Sequence, residues 1–444
     1  MSANIPQSPL KRVVIVGGGF AGLELVNRLK NSNYQIVLID KNNYHEFLPL
    51  IYQVGTAGLE SSSIAFPFRK LFHNRKNFYF RLAVVRAINY DKKVIQTSIG
   101  KLSYDYLVLA GGTQTNYFGN ERIQKYSIPM KNMEDALGLR NTLLANFERA
   151  LTCATEEERK DLLNVVIIGG GATGVEVAGA IAEMKRFVFP KDYPDANIQD
   201  LNITLIEGSG HLLASMSDKA SENAKKYLTK MGVNIRLNTR LKDYDGNIAF
   251  LESGEQVRTR TLIWVSGVTG ISIGNIRKER LGRGNRILVN AFNQLEGLND
   301  VFCIGDLALN CSEEAYPNGH PQLAQVAIQQ ARMVARNLPR LDKNEELLPF
   351  TYKNLGSMAT VGRNKAVADL GNVKLGGKLA WSMWLVVHLK SILGVRNKFF
   401  VLLQWVWNYF TYDRSSRFII YPRKNYVIKK QEEYEETHHL GQDL

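Results

Sequence analysis

Three glutamines recur along the stretch HPQLAQVAIQQ at residues 320–330, among Leu, Ala, Val and Ile. Gln322, Gln325 and Gln329 are spaced by three and four residues, so they share one face of a helix that should begin at Pro321. A glutamine amide donates and accepts hydrogen bonds without carrying charge. The pattern therefore indicates either a solvated helix face or a face that binds a polar, neutral partner.

A glycine-rich turn near the N-terminus has the residue types that bind a dinucleotide. KRVVIVGGGFAGLELVNRL is an apolar strand run, followed by Gly17, Gly19 and Gly22 and then a helical pattern. The first glycine permits a tight turn, the second lets backbone approach a pyrophosphate, and the third lets the helix pack on the strand. The next strand run, YQIVLID, ends in Asp40, which can bind the hydroxyls of an adenosine ribose. Together these features predict a first dinucleotide-binding unit.

The same arrangement returns in the middle of the chain. LLNVVIIGGGATGVEVAGAIAEM contains Gly169, Gly171 and Gly174, and the strand run NITLIEG brings Glu207 to its end. The following residues, 208–211, contain no arginine that could hold a 2′-phosphate, so NADH is predicted to be preferred over NADPH. Two alternatives stay open: a protonated His211, or an arginine that approaches from a distant part of the chain. A chain with two such units can pass electrons between a flavin and a nicotinamide.

Later landmarks follow the same plan. Gly111 and Thr113 follow an apolar strand run, Gly267 follows RTLIWVS, and Asp306 follows NDVFCIG. In this order the landmarks resemble the two-dinucleotide-binding flavoprotein oxidoreductases, relatives of glutathione reductase and lipoamide dehydrogenase. The resemblance implies FAD in the first unit, with Gly111 and Thr113 beside it and Asp306 on the ribityl chain. It implies NADH in the second unit, with Gly267 beside it.

The region after the first acid, KNNYHEFLPLIYQVGTAGLE, contains no cysteine. Disulfide-reducing relatives carry a cysteine pair there, so a dithiol relay is excluded and the electron acceptor must meet the flavin by another route. This stretch, together with AQVAIQQ, is similar to the type II NADH:quinone oxidoreductases. The similarity runs from about residue 10 to about residue 425.

This second resemblance implies roles for further positions. The glutamine helix would start beside the flavin pyrimidine ring, with Gln325 at the FAD and both Gln325 and Gln329 facing a quinone headgroup. Glu176 would lie near the flavin and nicotinamide, orienting the ring or carrying protons, although a carboxylate in the first turn also favours the helix dipole. Lys365 and Val367 would line the quinone entrance. Hydride would pass from NADH to FAD, and a membrane quinone would receive two electrons without proton pumping.

The C-terminal part predicts contact with a membrane surface. LAWSMWLVV (379–387) and FFVLLQWVWNYF (399–410) hold four of the five tryptophans, but neither reaches the ~20 apolar residues of a transmembrane helix. Nine basic residues and one acid lie between 374 and 424, which would attract an anionic lipid surface. A helix pair buried in a homodimer is a compatible alternative. Nucleic acid is not expected, since it would leave the apolar runs exposed.

Composition limits the compartment and the metal chemistry. The 444 residues carry a formal charge of +14, and the three cysteines Cys153, Cys303 and Cys311 form neither a CxxC pair nor a metal pattern, so no metal site is predicted. The N-terminal apolar run is short and ends in glycines, unlike a signal peptide. We expect a peripheral, monotopic protein on the cytoplasmic face of the inner (plasma) membrane.

The predicted fold class is α/β, with two Rossmann-like, glutathione-reductase-like domains plus a C-terminal membrane-surface helical segment. A split FAD-binding domain (8–120 and 285–345) would enclose an NADH-binding domain (121–284). A membrane-anchoring domain (346–430), whose first strands would cover the flavin domain, and a mobile tail (431–444) would follow.

Alternative functions stay open at this point. A sulfide:quinone oxidoreductase would need paired redox cysteines at the flavin. A reductase of a protein electron carrier, such as a ferredoxin reductase, would share both nucleotide units without needing the membrane-seeking C-terminus. An FAD-dependent NAD(P)H sensor or scaffold would bind NADH without turning over quinone.

Overall fold

The computed structural model describes residues 3–194, 198–273, 275–414 and 416–420. Two mainly parallel sheets flanked by helices form the body of the protein. The predicted α/β class with two Rossmann-like units is therefore confirmed. The tail 431–444 lies outside the described residues.

The first sheet is built around the strand of the first glycine-rich turn. Lys11–Val16 lies between Tyr34–Asp40 and Tyr106–Leu109, parallel to both. Its valines and isoleucine are buried because both faces of a parallel sheet are covered. Across the described residues the strand order is Leu281–Gly282, Arg286–Val289, Gln294–Leu295, Leu298–Cys303, Tyr106–Leu109, Lys11–Val16, Tyr34–Asp40 and Phe78–Leu82, with Ala308–Asn310 beside Arg286–Val289.

The second sheet is smaller and repeats the same local order. Asn164–Ile168, the strand of the second glycine-rich turn, lies between Asn202–Ile206 and Thr261–Trp264, again parallel to both. Ile128–Pro129 and Asn234–Arg236 complete it at its two edges. The chain thus leaves the first sheet, builds the second, and returns to the first at Leu281–Gly282. The predicted domain limits stay a prediction.

Helices cover both sheets, and two short strands, Thr113–Thr115 and Val268–Gly270, pair where the chain passes between the units. The described α-helices are Phe20–Arg28, Ile51–Gly55, Phe68–Leu71, Glu121–Tyr126, Met133–Thr152, Glu156–Leu163, Ala172–Phe187, Phe189–Asp192, Asp218–Lys230, Ala324–Asp342, Gly377–Ser391 and Val395–Thr411. Smaller sheets are formed by Tyr44–Glu46 with Ala65–Pro67, by Val85–Asn89, Val94–Thr97 and Gly100–Ser103, and by Leu241–Tyr244, Ile248–Leu251 and Gln256–Arg258.

The C-terminal part begins with an antiparallel sheet of Ser357–Gly362, Lys365–Leu370 and Val373–Gly376, followed by the last two helices. This sheet packs on helix Ala172–Phe187 of the second unit, so closely that a Cβ on Gly179 would overlap the carbonyl oxygen of Val361. The prediction that these strands cover the flavin domain is therefore wrong for the sheet. The preceding residues 353–356 do lie on the first unit.

Candidate functional site

The first glycine turn has the geometry that a pyrophosphate needs. Gly17 adopts φ +105°, and a Cβ there would overlap the carbonyl of Ala110. A Cβ on Gly22 would overlap the carbonyl oxygen of Gly17, so the helix Phe20–Arg28 packs tightly on its strand. Around Gly19, by contrast, a Cβ would meet no atom within 4 Å. The open backbone faces the helix N-terminus, where a phosphate is favoured.

Asp40 holds this turn in place and keeps capacity for a ribose. One carboxylate oxygen accepts the N–H of Gly18 at 2.6 Å, and the other accepts that of Asn42 at 2.7 Å. Each oxygen has a further lone pair for a hydroxyl donor. Burial raises the pKa of Asp40, and the two backbone N–H groups act in the opposite direction. His45, from the stretch HEFLPLIYQ, faces the same loop, with Nδ1 2.9 Å from the carbonyl oxygen of Gly18.

The second unit repeats each of these features. Gly169 adopts φ +116°, a Cβ on Gly171 would meet nothing within 4 Å, and a Cβ on Gly174 would overlap the carbonyl oxygen of Gly169. Glu207 accepts the N–H of Gly170 at 2.6 Å and that of Ser209 at 2.7 Å. The structure thus brings the predicted residues of each dinucleotide site together at the ends of parallel strands, as ligand binding in such sheets requires.

The buried carboxyl of Asp306 lies where the returning strands join the first unit. The preceding Gly305 has φ +75° and donates its N–H to Oε1 of Gln330 at 2.7 Å. Burial raises the pKa of Asp306, against the opposing charges of Lys131 and Arg286. The buried hydroxyl of Thr113 lies beside this carboxyl and also opposes the rise in its pKa. An acid and a hydroxyl in one place fit a polyhydroxylated chain such as the ribityl group.

A cleft of about 150 Å³ lies between the two units. Its walls include Thr173 from the second unit, Trp264 and Gly267 from the strand end, and Lys131. Burial lowers the pKa of Lys131, while the charge of Asp306 opposes that change. The structure therefore places Gly267 in the cleft, and its contact with NADH stays a prediction. It also adds Lys131, which sequence reasoning missed because no spacing rule distinguishes it from the other basic residues.

The glutamine helix begins at Ala324, so the predicted start at Pro321 is wrong. Leu323 is extended, and its N–H donates a hydrogen bond to the carbonyl oxygen of Pro321 in a turn. Gln322 consequently precedes the helix, and its amide donates to the carbonyl oxygen of Asp306 at 3.1 Å. Only the start moves; the helix runs on to Asp342.

Gln325 and Gln329 use both ends of their amides on backbone. Gln325 donates to the carbonyl of Gly356 at 3.0 Å and accepts the N–H of Leu355 at 2.9 Å. Gln329 donates to the carbonyl of Lys353 at 2.9 Å and accepts its N–H at 3.0 Å. The glutamine face therefore fixes an extended segment of the chain, and its contact with a quinone stays a prediction.

A second and larger cavity, of about 480 Å³, lies between the second unit and the C-terminal helices. Glu176 lines it, and burial raises the pKa of Glu176 to about 8, with only the N–H of Thr360, 3.4 Å away, acting in the opposite direction. This carboxyl is therefore mostly protonated at neutral pH. Further lining residues are Tyr52, Gln53, Thr56, Ala180, Glu183, Val361, Arg363, Trp381, Leu385, Val386, Leu389, Leu402, Trp405, Val406, Tyr409, Phe410 and Arg414.

Tyr52 and Gln53 also line this cavity. They lie in the stretch KNNYHEFLPLIYQVGTAGLE, where the sequence alone assigned them no role. Gln53 donates to the hydroxyl of Tyr52 at 2.8 Å and accepts the indole N–H of Trp405 at 2.9 Å. A polar chain therefore links Trp405 of helix Val395–Thr411 to Tyr52 in the cavity wall. Val367, in contrast, is fully buried in the core, so its predicted place at the quinone entrance is wrong.

The last two helices present a broad apolar surface to solvent. Phe399, Trp407 and Phe410 are 57%, 59% and 77% exposed, and further exposed apolar residues are Leu379, Val386, Val387, Val395, Phe400, Leu402, Leu403 and Val406. Patches of this size on a protein surface mark an interaction site. Trp384 departs from the predicted interfacial set, because it is fully buried and stacks on His388. In the described part of the chain, no helix is both long and apolar enough to cross a bilayer.

The opposite face of helix Val395–Thr411 is polar and bound to the first unit. Asn408 donates to the carbonyl of Gly58 at 3.0 Å, and Asn397 donates to that of Ser62 at 3.1 Å. This helix is therefore fixed to the nucleotide-binding body by one face while its other face stays uncovered.

The family model described as pyridine nucleotide-disulphide oxidoreductase matches residues 11–331. Because this is most of the chain, the protein belongs to the pyridine nucleotide-disulphide oxidoreductases, the class that the two nucleotide units define. The model for the NDH2 C-terminal domain matches residues 354–412, which contain the C-terminal sheet and both surface helices.

Similar proteins narrow this class. The chain is 33% identical over 411 residues to the type II NADH:quinone oxidoreductase NdhA of Mycobacterium tuberculosis, covering 89% of this chain and 86% of that protein. It is 34% identical over 409 residues to the type II NADH:quinone oxidoreductase Ndh of the same organism, covering 89% and 87%. The protein is accordingly a member of the type II NADH:quinone oxidoreductase family, and it is a flavoprotein NADH dehydrogenase.

Solved structures agree on the fold. NDH2 from Plasmodium falciparum in complex with NADH superposes with a TM-score of 0.85 at 21% identity, covering 93% of this chain and 100% of that one. The sulfide:quinone oxidoreductase of Aquifex aeolicus superposes with a TM-score of 0.70 at 18% identity, covering 87% and 92%. At these identities the likeness establishes the fold alone.

Proposed function

We propose that the protein binds NADH at the second unit and FAD at the first, and that it reduces a membrane quinone in the 480 Å³ cavity lined by Glu176. The cavity is the observation that carries this proposal. It is bounded by the second nucleotide unit on one side and by the surface helices on the other, so it can join the redox centre to a lipid phase.

FAD fits the residues of the first unit. The open backbone at Gly19 and the free lone pairs of Asp40 suit its adenosine diphosphate part, and Asp306 with the neighbouring hydroxyl of Thr113 suits its ribityl chain. When bound, the flavin supplies the redox chemistry that couples hydride transfer from NADH to reduction of the quinone. The chain itself orients the donor and the acceptor: the cleft beside Trp264 and Gly267 holds the nicotinamide, and the cavity holds the quinone.

The cavity has the composition that a quinone requires. Its walls are largely apolar. The charged lining residues Arg414 and Glu183 pair with each other at 3.2 Å, and the uncharged polar lining groups include Tyr52, Gln53 and the protonated Glu176. Such amide, hydroxyl and neutral carboxyl groups can donate hydrogen bonds to quinone carbonyls without a buried charge. Four lining residues, Val386, Leu402, Val406 and Phe410, are also exposed on the apolar surface, so the cavity opens where lipid is expected.

Glu176 is placed to hold a proton for the quinone. Its pKa of about 8 keeps it protonated at neutral pH, and a neutral carboxyl is a hydrogen-bond donor. Reduction of a quinone to a quinol takes up two protons, so a donor at the cavity wall serves the second half of the reaction.

Gln325 and Gln329 contribute to the same site by positioning. The segment 353–356 that they hold runs directly into Ser357–Gly362, which supplies Thr360 and Val361 to the cavity wall. We propose that the glutamine face sets the position of this wall relative to the flavin.

The test is anaerobic stopped-flow absorbance, mixing the flavin-loaded protein first with NADH and then with a soluble menaquinone analogue. We expect flavin bleaching followed by recovery. Leu389→Trp fills the cavity, so it should slow recovery about tenfold or more and leave bleaching unchanged. Leu379→Trp is the matched control, since Leu379 is on the same helix and 61% exposed outside the cavity lining. Normal recovery in Leu389→Trp would reject this location for the quinone.

The apolar surface is proposed to sit in the interface of an anionic lipid membrane, with the charges of Lys378, Lys390, Arg396 and Lys398 around it. The cytoplasmic face is proposed because the three cysteines are free, as in a reducing compartment. A variant with Phe399, Trp407 and Phe410 all changed to Ser should lose flotation with anionic vesicles. Changing the exposed Leu82 and Val84 to Ser is the control and should not.

A homodimer is part of the proposal and rests on the same apolar surface, which two copies could share with the membrane. Sedimentation equilibrium in detergent should give the mass of two chains. The mass of one chain over the whole concentration range would contradict the homodimer and would leave the proposals for the cofactors, the quinone and the membrane unchanged.

A further inference from the structure

The loop after strand Asn234–Arg236 folds back onto the acid of the second unit. The N–H of Thr239 donates to the carbonyl oxygen of Glu207, and the N–H of Asn238 donates to that of Ser209, both at 3.0 Å. These bonds place Arg240 directly over Gly208. A Cβ on Gly208 would lie 3.2 Å from Cγ and 3.3 Å from Nε of Arg240.

Arg240 has no counter-charge in the described part of the chain, unlike Arg236 on the preceding strand. Within the described residues its guanidinium makes no ion pair or side-chain hydrogen bond, whereas Arg236 pairs with Glu255. The side chain is exposed, and Gly208 leaves room for it beside the acid loop. An unpaired guanidinium is therefore held at the place where the adenosine ribose of a dinucleotide meets Glu207.

The chemistry at that place distinguishes NADH from NADPH. An acid at the end of the second strand binds the free 2′-hydroxyl, and an arginine nearby accommodates a 2′-phosphate. A guanidinium matches a phosphate through two parallel N–H donors. The charge of Glu207 is already shared with the N–H groups of Gly170 and Ser209, which moderates its repulsion of a phosphate.

We propose that Arg240 binds the 2′-phosphate of NADPH and gives this NADH dehydrogenase a second, weaker hydride donor. Residues 208–211 contain no arginine, and the sequence left open an approach by a distant one; Arg240 comes from the loop after strand Asn234–Arg236. NADH remains preferred through Glu207.

The first test compares kcat/KM for the two donors with a fixed quinone. Arg240→Gln should lower kcat/KM for NADPH about tenfold, the usual effect of losing one charge-assisted hydrogen bond, and change that for NADH less than about twofold. Lys242→Gln removes a charge from the same exposed stretch without contacting Gly208, so it should change neither by more than about twofold. Equal losses for both donors in Arg240→Gln, or no loss for NADPH, would overturn the proposal.

A second test does not depend on NADPH turnover. Adenosine 2′,5′-bisphosphate and ADP are compared as competitive inhibitors against NADH. The inhibition constant of the bisphosphate should rise about tenfold in Arg240→Gln and that of ADP should not. The inhibition constant of the bisphosphate should rise by the same factor when Arg240→Gln is added to Glu207→Gln. In that background the carboxylate that repels the phosphate is gone. Identical constants for the bisphosphate with and without Arg240 in both backgrounds would refute the assignment.

Discussion

The first helices of the two dinucleotide-binding units carry a glutamate at the same place, and the two glutamates differ in protonation. Glu24 stands two residues after Gly22, and Glu176 stands two residues after Gly174. Burial acts to raise the pKa of Glu24, but the hydrogen bonds and charges of Arg332 and Arg28 outweigh it, so the pKa is lowered. The pKa of Glu176 is raised to about 8.

The difference comes from what packs against each helix. Helix Phe20–Arg28 faces helix Ala324–Asp342, whose Arg332 donates to Glu24 at 2.6 Å. Helix Ala172–Phe187 faces the C-terminal sheet and the apolar cavity, where Thr360 offers a backbone N–H. Two repeats with one local geometry thus give one structural carboxylate and one proton-holding carboxyl, because the added C-terminal part covers the second unit.

The largest effects are expected from substitutions in the glycine turns, which test whether each unit binds its own dinucleotide independently of the other. Gly22→Ala and Gly174→Ala each force a Cβ onto a backbone carbonyl, in the first and second unit respectively. We expect Gly22→Ala to purify with most of its flavin lost, and Gly174→Ala to keep flavin but bind NADH weakly, since overpacking at backbone typically costs about 1–3 kcal/mol or more. Flavin absorbance per protein and NADH titration measure the two outcomes. Loss of flavin in both variants would mean that the units do not fold independently.

Substitutions of Glu207 and Asp40, the acids at the strand ends of the two units, should give a smaller and more specific effect. Glu207→Gln should raise the KM for NADH about tenfold, as expected when a charged hydrogen-bond acceptor is lost, and leave the KM for quinone unchanged. Asp40→Asn should instead weaken flavin retention, measured by dialysis, without changing the KM for NADH in the fraction that stays loaded. An unchanged KM for NADH in Glu207→Gln would remove that residue from the ribose site.

Much of each nucleotide unit is predictable from sequence because its chemistry is local. Glycines, acid and strand runs lie within about forty residues of one another, and backbone sterics fix their roles. The structure accordingly places Gly17, Gly19 and Gly22 in the geometry predicted for them.

The remaining site residues depend on long-range packing that spacing does not encode. Arg240 reaches Gly208 through a loop from another strand, and Lys131 lies close enough to Asp306 for their charges to interact. The glutamine helix shows the same limit: its periodicity predicts a shared face, but only the fold shows that the segment 353–356 binds that face. The start at Pro321 was wrong because a local turn took the place of the first helical residues.

The glutamine face offers a third test, since it links the first unit to the cavity wall of the second. Gln325→Ala with Gln329→Ala removes four amide hydrogen bonds to the segment 353–356. We expect quinone reduction to slow about fivefold, for a wall displaced at a cost of ~1 kcal/mol, and flavin reduction by NADH to stay within about twofold. Both half-reactions are measured by stopped flow. Equal slowing of both would mean that the glutamines support the flavin alone.

The smallest effect is expected in the pH dependence of the free energy of unfolding, which tests the opposite pKa shifts of Glu176 and Glu24. Because the folded pKa of Glu176 lies above its unfolded value of about 4.3, its contribution is full below that pH and is lost as pH rises toward about 8. Glu176→Gln mimics the neutral acid, so it should flatten this decline, and its gain in stability over the wild type should grow above about pH 4.3 and be complete by about pH 8. Quinone reduction in the wild type should fall as pH rises through about 8, where the folded carboxyl loses its proton, and the variant should lack that fall.

Glu24→Gln is the matched control, with the opposite sign. Its folded pKa is lowered, so its contribution is present above about pH 4.3 and is lost as pH falls through the folded value. The variant should lose up to ~1 kcal/mol at neutral pH, where the partly exposed ion pairs with Arg28 and Arg332 exist, and nothing at acid pH. Urea midpoints from pH 9 down to below the folded pKa of Glu24 separate the two cases. Parallel curves for both variants would show that position in the repeat, and not the covering element, determines the state of each glutamate.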